Sequence, residues 1–307
     1  MQWGRAMRLA ILGTGAMARY YAKLFASLNP VMVGRQGGSY VLSQDRDRSI
    51  VTPEFLHWTV AHSSLFDLVI VAVKWPAMPL VQSFFKDAGS DLLVISLMNG
   101  MGQEEALIPP LSPEQLMVGV TTDAVTLDHD DESGLPAARV TAVGHCLMPL
   151  IPHPLVPFWQ QQLKDLGLWG SWKFLSAEAV RRERWVKLIQ NSIINPLTAL
   201  ANVTNGEITR IPLWTLSRSL LEEARKVSHA IGMALPSDLD FRVSQLCQMT
   251  ASNKSSMLQD IERRRMTEID AINGYIIRRA RTVSLQAPTH EALTQLIHAM
   301  ETHFDAS

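Results

Sequence analysis

Cysteine is scarce in this sequence: only Cys146 and Cys247 occur in 307 residues. They lie far apart and form neither a CxxC pair nor a zinc-type spacing, so the sequence indicates neither a disulfide scaffold nor a structural zinc site. Two scattered cysteines also fit a reducing compartment, and we therefore expect a cytoplasmic protein.

Long apolar runs and a surplus of one charge are also missing. No apolar run reaches the roughly 18 residues that a membrane-spanning helix needs. A formal net charge of -1 gives no general attraction to nucleic acid or anionic membranes. Residues 129–132 (HDDE) offer possible metal ligands, but they precede Gly134 and Pro136 in a polar stretch typical of a solvated loop. We expect a soluble protein without metal, nucleic-acid partner or membrane partner, acting on a small molecule.

The apolar residues change their pattern along the chain. In the first half, short runs of Val, Ile and Leu alternate with longer segments, which is typical of βαβ units. Predicted strands are residues 9–12, 31–33, 68–73, 92–97 and 116–120, with a weaker one at 139–143. Beyond about residue 170, helical patterns dominate, at residues 178–201, 213–232, 256–284 and 289–304. The prediction is an α/β protein: a Rossmann-type, largely parallel sheet domain in residues 1–172, then an all-helical domain in residues 173–307.

Residues 7–19 allow two incompatible interpretations. Arg5 and Arg8 before an apolar run that ends in Ala-Met-Ala have the order of a secretory signal. A strand followed by Gly13-x-Gly15-x-x-Ala18 and a helix at 17–28 has the order of a dinucleotide-binding turn. The two glycines interrupt the apolar core, which favours the second interpretation, although a tight turn without a ligand remains the alternative. The predicted cofactor-binding residues of this turn are Gly13, Thr14, Gly15, Ala16, Met17 and Ala18.

Polar residues follow three of the predicted strands. Arg35 follows the second strand where an NAD-binding unit usually has an acid, and the next carboxylate is Asp45. A guanidinium can pair with a 2′-phosphate, so Arg35 favours NADPH over NADH unless it is simply a surface arginine. Lys74 and Asn99 follow later strands, where ligands of open parallel sheets bind. Ordinary turn chemistry is the alternative for both.

The helical half contains polar residues at regular spacing. Lys187, Asn191 and Asn195 recur every fourth residue, so they share one helix face over roughly 12 Å. In so apolar a segment these polar side chains need hydrogen-bond partners, or they line a solvent-filled cleft. Pro196 is expected to break or kink this helix just after Asn195.

Ser256 and Glu268 would stand about 18 Å apart on one straight helix. However, Ser256-x-x-Gln259 and Thr267-x-x-Asp270 both resemble capping boxes, which start helices. We therefore predict a break near residues 262–267 that brings Glu268 back towards Ser256. The alternative is a single amphipathic helix with the acid in solvent.

These motifs together resemble the ketopantoate reductase family, also called 2-dehydropantoate 2-reductase. The matching elements, in family order, are Gly13-Thr-Gly-Ala-Met-Ala18, Val73-Lys74, Asn99-Gly-Met-Gly102, Trp185-Val-Lys187-Leu, Asn191 with Asn195-Pro-Leu-Thr-Ala199, Asn205-Gly-Glu207, Ser255-Ser-Met-Leu-Gln-Asp260 and Thr267-Glu-Ile-Asp-x-Ile-Asn-Gly274. The resemblance implies NADPH-dependent reduction of 2-dehydropantoate (ketopantoate) to (R)-pantoate on the route to pantothenate and coenzyme A. It also implies a C-terminal domain of the 6-phosphogluconate dehydrogenase type, in a monomer or homodimer.

The resemblance also implies roles for individual residues. Lys187 corresponds to the catalytic general acid, and Glu268 to the acid that supports the site and the cofactor. The implied substrate contacts are Asn99, Asn191, Asn195, Asn205 and Ser256, while Lys74 and Asn99 are implied at the cofactor. Ala18 replaces the last glycine of the family motif, and residues 36–64 match least. Rival hypotheses are an NADP-dependent reductase of another branched 2-keto acid and a non-catalytic NADPH-binding regulator, although a regulator needs no proton donor.

Overall fold

The computed structural model describes residues 7–304, which divide into two compact units. The sheet unit comprises the chain up to Met98 together with Gln103–Val180, and the helical unit comprises Asn99–Gly102 with Arg181–Ser307. The predicted boundary after residue 172 lies before this division and stays a prediction. Arg5, which begins the alternative signal pattern, lies outside the described residues.

The sheet unit is built on six parallel strands in the order β5-β2-β1-β6-β7-β8. Smaller sheets follow the orders β10-β11-β3-β4 and β13-β12-β9. The strands are β1 (Leu9–Leu12), β2 (Val31–Gly34), β3 (Tyr40–Gln44), β4 (Asp47–Val51), β5 (Glu54–His57), β6 (Leu68–Val71), β7 (Leu93–Ser96), β8 (Leu116–Val118), β9 (Val120–Thr121), β10 (Ala124–His129), β11 (Pro136–Ala142), β12 (Cys146–Pro149) and β13 (Trp172–Leu175). The helices of this unit are α1 (Ala16–Leu24), α2 (Met78–Phe84), α3 (Gln103–Leu107) and α4 (Val156–Asp165).

The central sheet is covered on both faces, as its apolar strands predict. Leu9 and Ile11 of β1 pack into one apolar core with Trp159. Ala10 and Leu12, which point to the opposite face, pack into a second core. Strands buried on both faces have no polar alternation, which explains the continuous Val, Ile and Leu runs. The predicted parallel sheet is therefore confirmed.

Several strands of the sheet unit are not predicted by the sequence pattern: β3 and β4 belong to a smaller sheet, and β5 is the edge strand of the central sheet. Residues 36–64 contain β3, β4 and β5, and the turn between β3 and β4 includes Asp45 at φ +51°. Asp47 and Arg48 of β4 are exposed, so this edge strand lacks an apolar signal. The predicted strand at 116–120 divides into β8 and β9 around Gly119, where a Cβ atom would lie 2.4 Å from the Met148 sulfur.

The helical unit packs its helices around one apolar core, which includes the fully buried Trp185, Val243 and Ile297. Its helices are α5 (Ala177–Ala201, which begins in the sheet unit), α6 (Leu213–Ala230), α7 (Leu239–Met249), α8 (Ser256–Glu262), α9 (Asn273–Thr282) and α10 (Pro288–Glu301). Helix α7 is not predicted by the sequence pattern. No helix in residues 7–304 is long and apolar enough to cross a membrane.

Helix α5 continues through Pro196 to Ala201, so a break after Asn195 is wrong, and a kink there, the other expectation, stays a prediction. A proline lacks the N–H that would bond the carbonyl four residues earlier, here that of Ser192. The structure supplies another donor, because Asn273 Nδ2 lies 2.9 Å from the Ser192 carbonyl oxygen. A tertiary hydrogen bond therefore replaces the missing helical one and allows the helix to continue.

The predicted break between the helices around Ser256 and Glu268 is confirmed. Helix α8 ends at Glu262, and the next regular structure is a single 3₁₀ turn, Ile269–Ala271. The predicted capping boxes are wrong in detail. Ser255, not Ser256, accepts the capping hydrogen bond from the Leu258 amide at 3.1 Å. Thr267 Oγ1 accepts from the amide of Ile269, two residues on, at 3.2 Å.

Candidate active site

The glycine-rich turn between β1 and α1 has the geometry of a phosphate-binding loop. Gly13 has φ +121°, and a Cβ atom there would lie 2.6 Å from the Ala72 carbonyl oxygen, so this position requires glycine. The Gly13 amide donates to the Val33 carbonyl at 2.8 Å, which ties the turn to β2. Thr14 packs against Gly34, where a Cβ atom would lie 2.5 Å from its methyl carbon.

Gly15 leaves open space beside the start of α1. Apart from Gly15 and its two neighbours in the chain, no heavy atom of the described residues lies within 4 Å of the position that its Cβ would take. The turn therefore offers bare backbone next to the N-terminal end of a nine-residue helix. The unpaired N–H groups of such an end favour an anion. Ala18 is fully buried, consistent with a role in helix packing. These residues fit the pyrophosphate of a dinucleotide.

Arg35 and Lys74 follow two strands that flank β1 in the sheet. Arg35 comes directly after β2, and Lys74 comes shortly after β6. Both side chains are exposed. In a parallel sheet the carboxyl ends of neighbouring strands lie at one edge, and here these strands are β1, β2 and β6. The glycine turn, Arg35 and Lys74 therefore all lie just beyond the sheet edge where ligands of open α/β sheets bind.

Asn99–Gly102 follows β7 in the sequence but belongs to the helical unit. The Met101 amide donates to the Ala271 carbonyl at 2.9 Å. Gly100 has φ +75°, and a Cβ atom there would lie 2.5 Å from the same carbonyl oxygen. The close approach requires glycine at this position and fixes Asn99 beside the segment that contains Glu268.

Lys187, Asn99 and Glu268 form a hydrogen-bonded chain. The Lys187 ammonium donates to Asn99 Oδ1 at 2.9 Å, and Asn99 Nδ2 donates to Glu268 Oε2 at 3.4 Å. Glu268 is 6% exposed, while Lys187 and Asn99 are half-buried. The orientation of the Asn99 amide follows from its neighbours, because only its oxygen can accept from an ammonium and only its nitrogen can donate to a carboxylate. Asn99 thus fixes the position of the Lys187 ammonium group. An ammonium group can polarise a carbonyl and donate a proton to it.

The other predicted substrate residues lie on three elements of the helical unit. Asn191 is half-buried and Asn195 is buried on α5, on the same helix face as Lys187. Asn205 is buried, and its Nδ2 donates to Thr250 Oγ1 at 2.9 Å. Ser256 is exposed at the first position of α8. Their substrate contacts stay predictions.

Two buried hydroxyls, those of Thr198 and Ser255, support the start of α8, where Ser256 lies, and the sequence pattern does not predict their contact. Thr198 Oγ1, on α5, is hydrogen-bonded to Ser255 Oγ at 2.6 Å, and Ser255 caps α8. This contact connects α5 to the residue immediately before Ser256. Two consecutive serines at a predicted helix start indicate that one of them caps the helix. The residue pattern does not reveal which of the two is buried and caps it.

Two of the acidic residues in the stretch 129–132 pair with an arginine. Arg48 forms ion pairs with Asp130 at 2.6 Å and with Glu132 at 3.3 Å. The Arg48 guanidinium and Ser133 hold the pKa of Asp130 well below its usual range. Within residues 7–304, no group of three or more His, Cys, Asp or Glu side chains is arranged to hold a metal ion.

The fold and the site define a class: proteins with a Rossmann-type sheet followed by a helical unit that presents a lysine, an asparagine and a glutamate. Comparison with known proteins narrows this class. Residues 9–145 match the family model "Ketopantoate reductase PanE/ApbA", and residues 179–301 match the model of its C-terminal part. The chain belongs to the ketopantoate reductase family, as its motifs predict.

Relatives with similar sequences extend over the whole chain. A 2-dehydropantoate 2-reductase of Archaeoglobus fulgidus is 29% identical over 97% of this chain and 99% of its own length. One from Yersinia pestis is 28% identical over 97% of both chains. These alignments include both units.

Solved structures confirm the fold. The ketopantoate reductase of Ralstonia eutropha JMP134 has a TM-score of 0.81 at 22% identity, over 97% of this chain and 100% of its own. A D-mandelate dehydrogenase with NADH and anilino(oxo)acetate has a TM-score of 0.85 at 19% identity, over 97% and 99%. At 19% and 22% identity these two structures show only that the chain shares their architecture. The two proteins are named for different substrates.

Proposed function

We propose that this protein reduces 2-dehydropantoate to (R)-pantoate with NADPH, a step in the biosynthesis of pantothenate and coenzyme A. The observation that carries the proposal is the chain of hydrogen bonds from Lys187 through Asn99 to Glu268. The full-length relatives named 2-dehydropantoate 2-reductase support the same substrate.

The side chains supply the acid and the neutral contacts that this reaction needs. When bound, a nicotinamide supplies the hydride. Negative charge then develops on the former carbonyl oxygen, and Lys187 is the group that polarises this oxygen and protonates it. Asn99 positions the Lys187 ammonium by accepting its hydrogen bond, and Glu268 fixes the orientation of the Asn99 amide.

The remaining predicted contacts are all uncharged. Asn191, Asn195, Asn205 and Ser256 offer amide and hydroxyl groups for the carboxylate and hydroxyl of the substrate. Such groups orient an anion without adding a positive charge that would compete with Lys187 for the developing oxyanion. In this proposal, residues 173–307 hold the substrate.

The cofactor part of the proposal depends on the sheet unit, with residues 1–172 holding NADPH. The glycine turn fits a pyrophosphate, and Lys74 contributes a positive charge near the same sheet edge. Arg35 follows β2 where a 2′-phosphate would be recognised, and the side chain is exposed. Glu268 is proposed to support the cofactor as well as Lys187.

The test is turnover by the purified protein. Oxidation of NADPH and of NADH is followed in parallel with ketopantoate and with 2-ketoisovalerate. We expect the highest kcat/KM for ketopantoate with NADPH. Absence of ketopantoate turnover with both cofactors would refute the proposal, and a preference for 2-ketoisovalerate would favour a reductase of another branched 2-keto acid. Binding of NADPH without turnover of either acid would favour the regulator hypothesis.

Assembly and location complete the proposal. A ketopantoate reductase from Staphylococcus aureus with a TM-score of 0.80 at 21% identity is described as dimeric, which supports a homodimer rather than a monomer. Sedimentation velocity of the purified protein tests this choice. Both cysteines are free and buried, which supports a cytoplasmic location.

A further inference from the structure

The segment that contains Glu268 has little regular structure of its own. We call residues 267–273 the Glu268 segment. It follows the end of α8, contains the single 3₁₀ turn Ile269–Ala271 and ends at Asn273, the first residue of α9. A side chain on such a segment depends on tertiary contacts for its position.

Helix α10 contacts the Glu268 segment at three points. Glu301 Oε1 accepts a hydrogen bond from the Thr267 amide at 2.7 Å. His298 Nε2 lies 3.2 Å from Asp270 Oδ1, and His290 Nδ1 lies 3.0 Å from Asn273 Nδ2. One helix therefore contacts the beginning, the middle and the end of the segment.

The contact made by Glu301 is closest in sequence to Glu268. Glu301 is 5% exposed, and burying a carboxyl group is costly unless its oxygens are hydrogen-bonded. The amide that it accepts from belongs to the residue immediately before Glu268. Movement of that amide moves the Glu268 backbone, and with it the carboxylate that bonds Asn99.

Helix α10 is itself held in place by α6. Glu223 of α6 accepts hydrogen bonds from the amides of Thr289, at 2.9 Å, and of His290, at 3.2 Å. These amides belong to the first turn of α10, whose N–H groups have no partner within the helix. The helix that contacts the Glu268 segment is thus fixed at the end opposite Glu301.

We propose that Glu301 is a positioning residue for the reaction. Its carboxyl group holds the Thr267 amide, so that Glu268 meets Asn99 and Asn99 directs the Lys187 ammonium. The kinetic part of this inference rests on the proposed function, whereas the contact itself does not.

The kinetic test compares three variants of α10. Glu301→Ala removes the acceptor, Glu301→Gln keeps an acceptor oxygen, and Ile297→Ala removes a fully buried apolar side chain of the same helix as a stability control. We expect Glu301→Ala to lower kcat about tenfold with the KM for ketopantoate within about twofold, as for loss of an orienting contact. Glu301→Gln restores kcat to within about threefold of the original enzyme, and Ile297→Ala lowers the melting temperature with kcat preserved below it.

Three kinetic results would overturn the proposal. One is an unchanged kcat in folded Glu301→Ala. Another is a Glu301→Gln variant as slow as Glu301→Ala, because then the acceptor oxygen is not what matters. The third is an equal loss of kcat in Ile297→Ala, which would make the effect one of stability. If Glu301→Ala does not fold, Glu301→Asp, one methylene shorter, replaces it and is expected to change kcat in the same direction.

A second measurement needs no substrate. Native-state hydrogen exchange reports how well the Thr267 amide is held, and we expect Glu301→Ala to speed its exchange by about tenfold or more while Glu301→Gln does not. Exchange that does not respond would refute the inference whatever the substrate is. If exchange responds but the original protein does not reduce ketopantoate, the proposed function fails and the contact between α10 and the Glu268 segment stands.

Discussion

Replacement of Asn99 by alanine tests the hydrogen-bonded chain directly. Asn99→Ala removes the acceptor 2.9 Å from Lys187 and the donor 3.4 Å from Glu268, but it leaves the lysine in place. A hydrogen bond to a charged group contributes about 1.5 to 3 kcal/mol. At about 1.4 kcal/mol per tenfold in rate, its loss corresponds to about ten- to hundredfold in kcat/KM. Because Asn99 is half-buried and its surroundings partly solvated, we expect the lower end, about tenfold.

The assay compares Asn99→Ala with Lys187→Ala by steady-state oxidation of NADPH with ketopantoate. Lys187→Ala removes the proton donor itself, so its kcat should fall by about 10² to 10⁴ while NADPH binding stays nearly intact. The expected order is a larger loss for Lys187→Ala than for Asn99→Ala. If Asn99→Ala keeps kcat/KM within twofold while Lys187→Ala is slow, Asn99 does not direct the ammonium. Near-normal turnover of Lys187→Ala would remove the assignment of the acid.

Four further substitutions test the cofactor-binding residues and the helical core. Arg35→Ala should raise the KM for NADPH much more than that for NADH, and equal increases would show that Arg35 does not recognise the 2′-phosphate. Gly13→Ala places a Cβ atom 2.6 Å from the Ala72 oxygen and should lower the free energy of unfolding by about 1 to 3 kcal/mol, whereas Gly15→Ala meets open space and should instead weaken NADPH binding in a titration. Burial lowers the pKa of His290 to about 4, whereas the imidazole of an unfolded chain has a pKa of about 6.5. Between pH 6.5 and pH 4 the unfolded chain therefore binds a proton that the folded protein does not, and the free energy of unfolding falls as the pH falls. Urea unfolding at pH 7 and pH 5 should show about 2 kcal/mol more loss in the original protein than in a His290→Gln variant, and identical losses would contradict the buried neutral histidine.

The central sheet is predictable because its strands are buried on both faces and therefore need unbroken apolar runs. The same reasoning misses the edge strands β4 and β5, because strands with exposed positions such as Asp47 and Arg48 have no such runs. It also misses β3, which lies between β11 and β4 in a smaller sheet. The rule that proline breaks or kinks a helix also predicts an interruption after Asn195, whereas α5 continues through Pro196 to Ala201, the end that its residue pattern predicts. From the sequence alone, a proline inside a helix leaves one backbone carbonyl without its N–H partner, which costs free energy. In the folded protein the side chain of the distant Asn273 donates to that carbonyl, which belongs to Ser192.

By itself, the sequence determines the glycine turn, the break before Glu268 and the polar face of α5, because each depends on neighbours a few residues apart. The tertiary structure alone shows that Asn99 lies between Lys187 and Glu268, and that Glu301 holds the residue before Glu268. Asn99 and Glu301 are 88 positions from Lys187 and 34 from Thr267, respectively. Contacts at such separations arise from packing of the whole helical unit, which local periodicity does not encode.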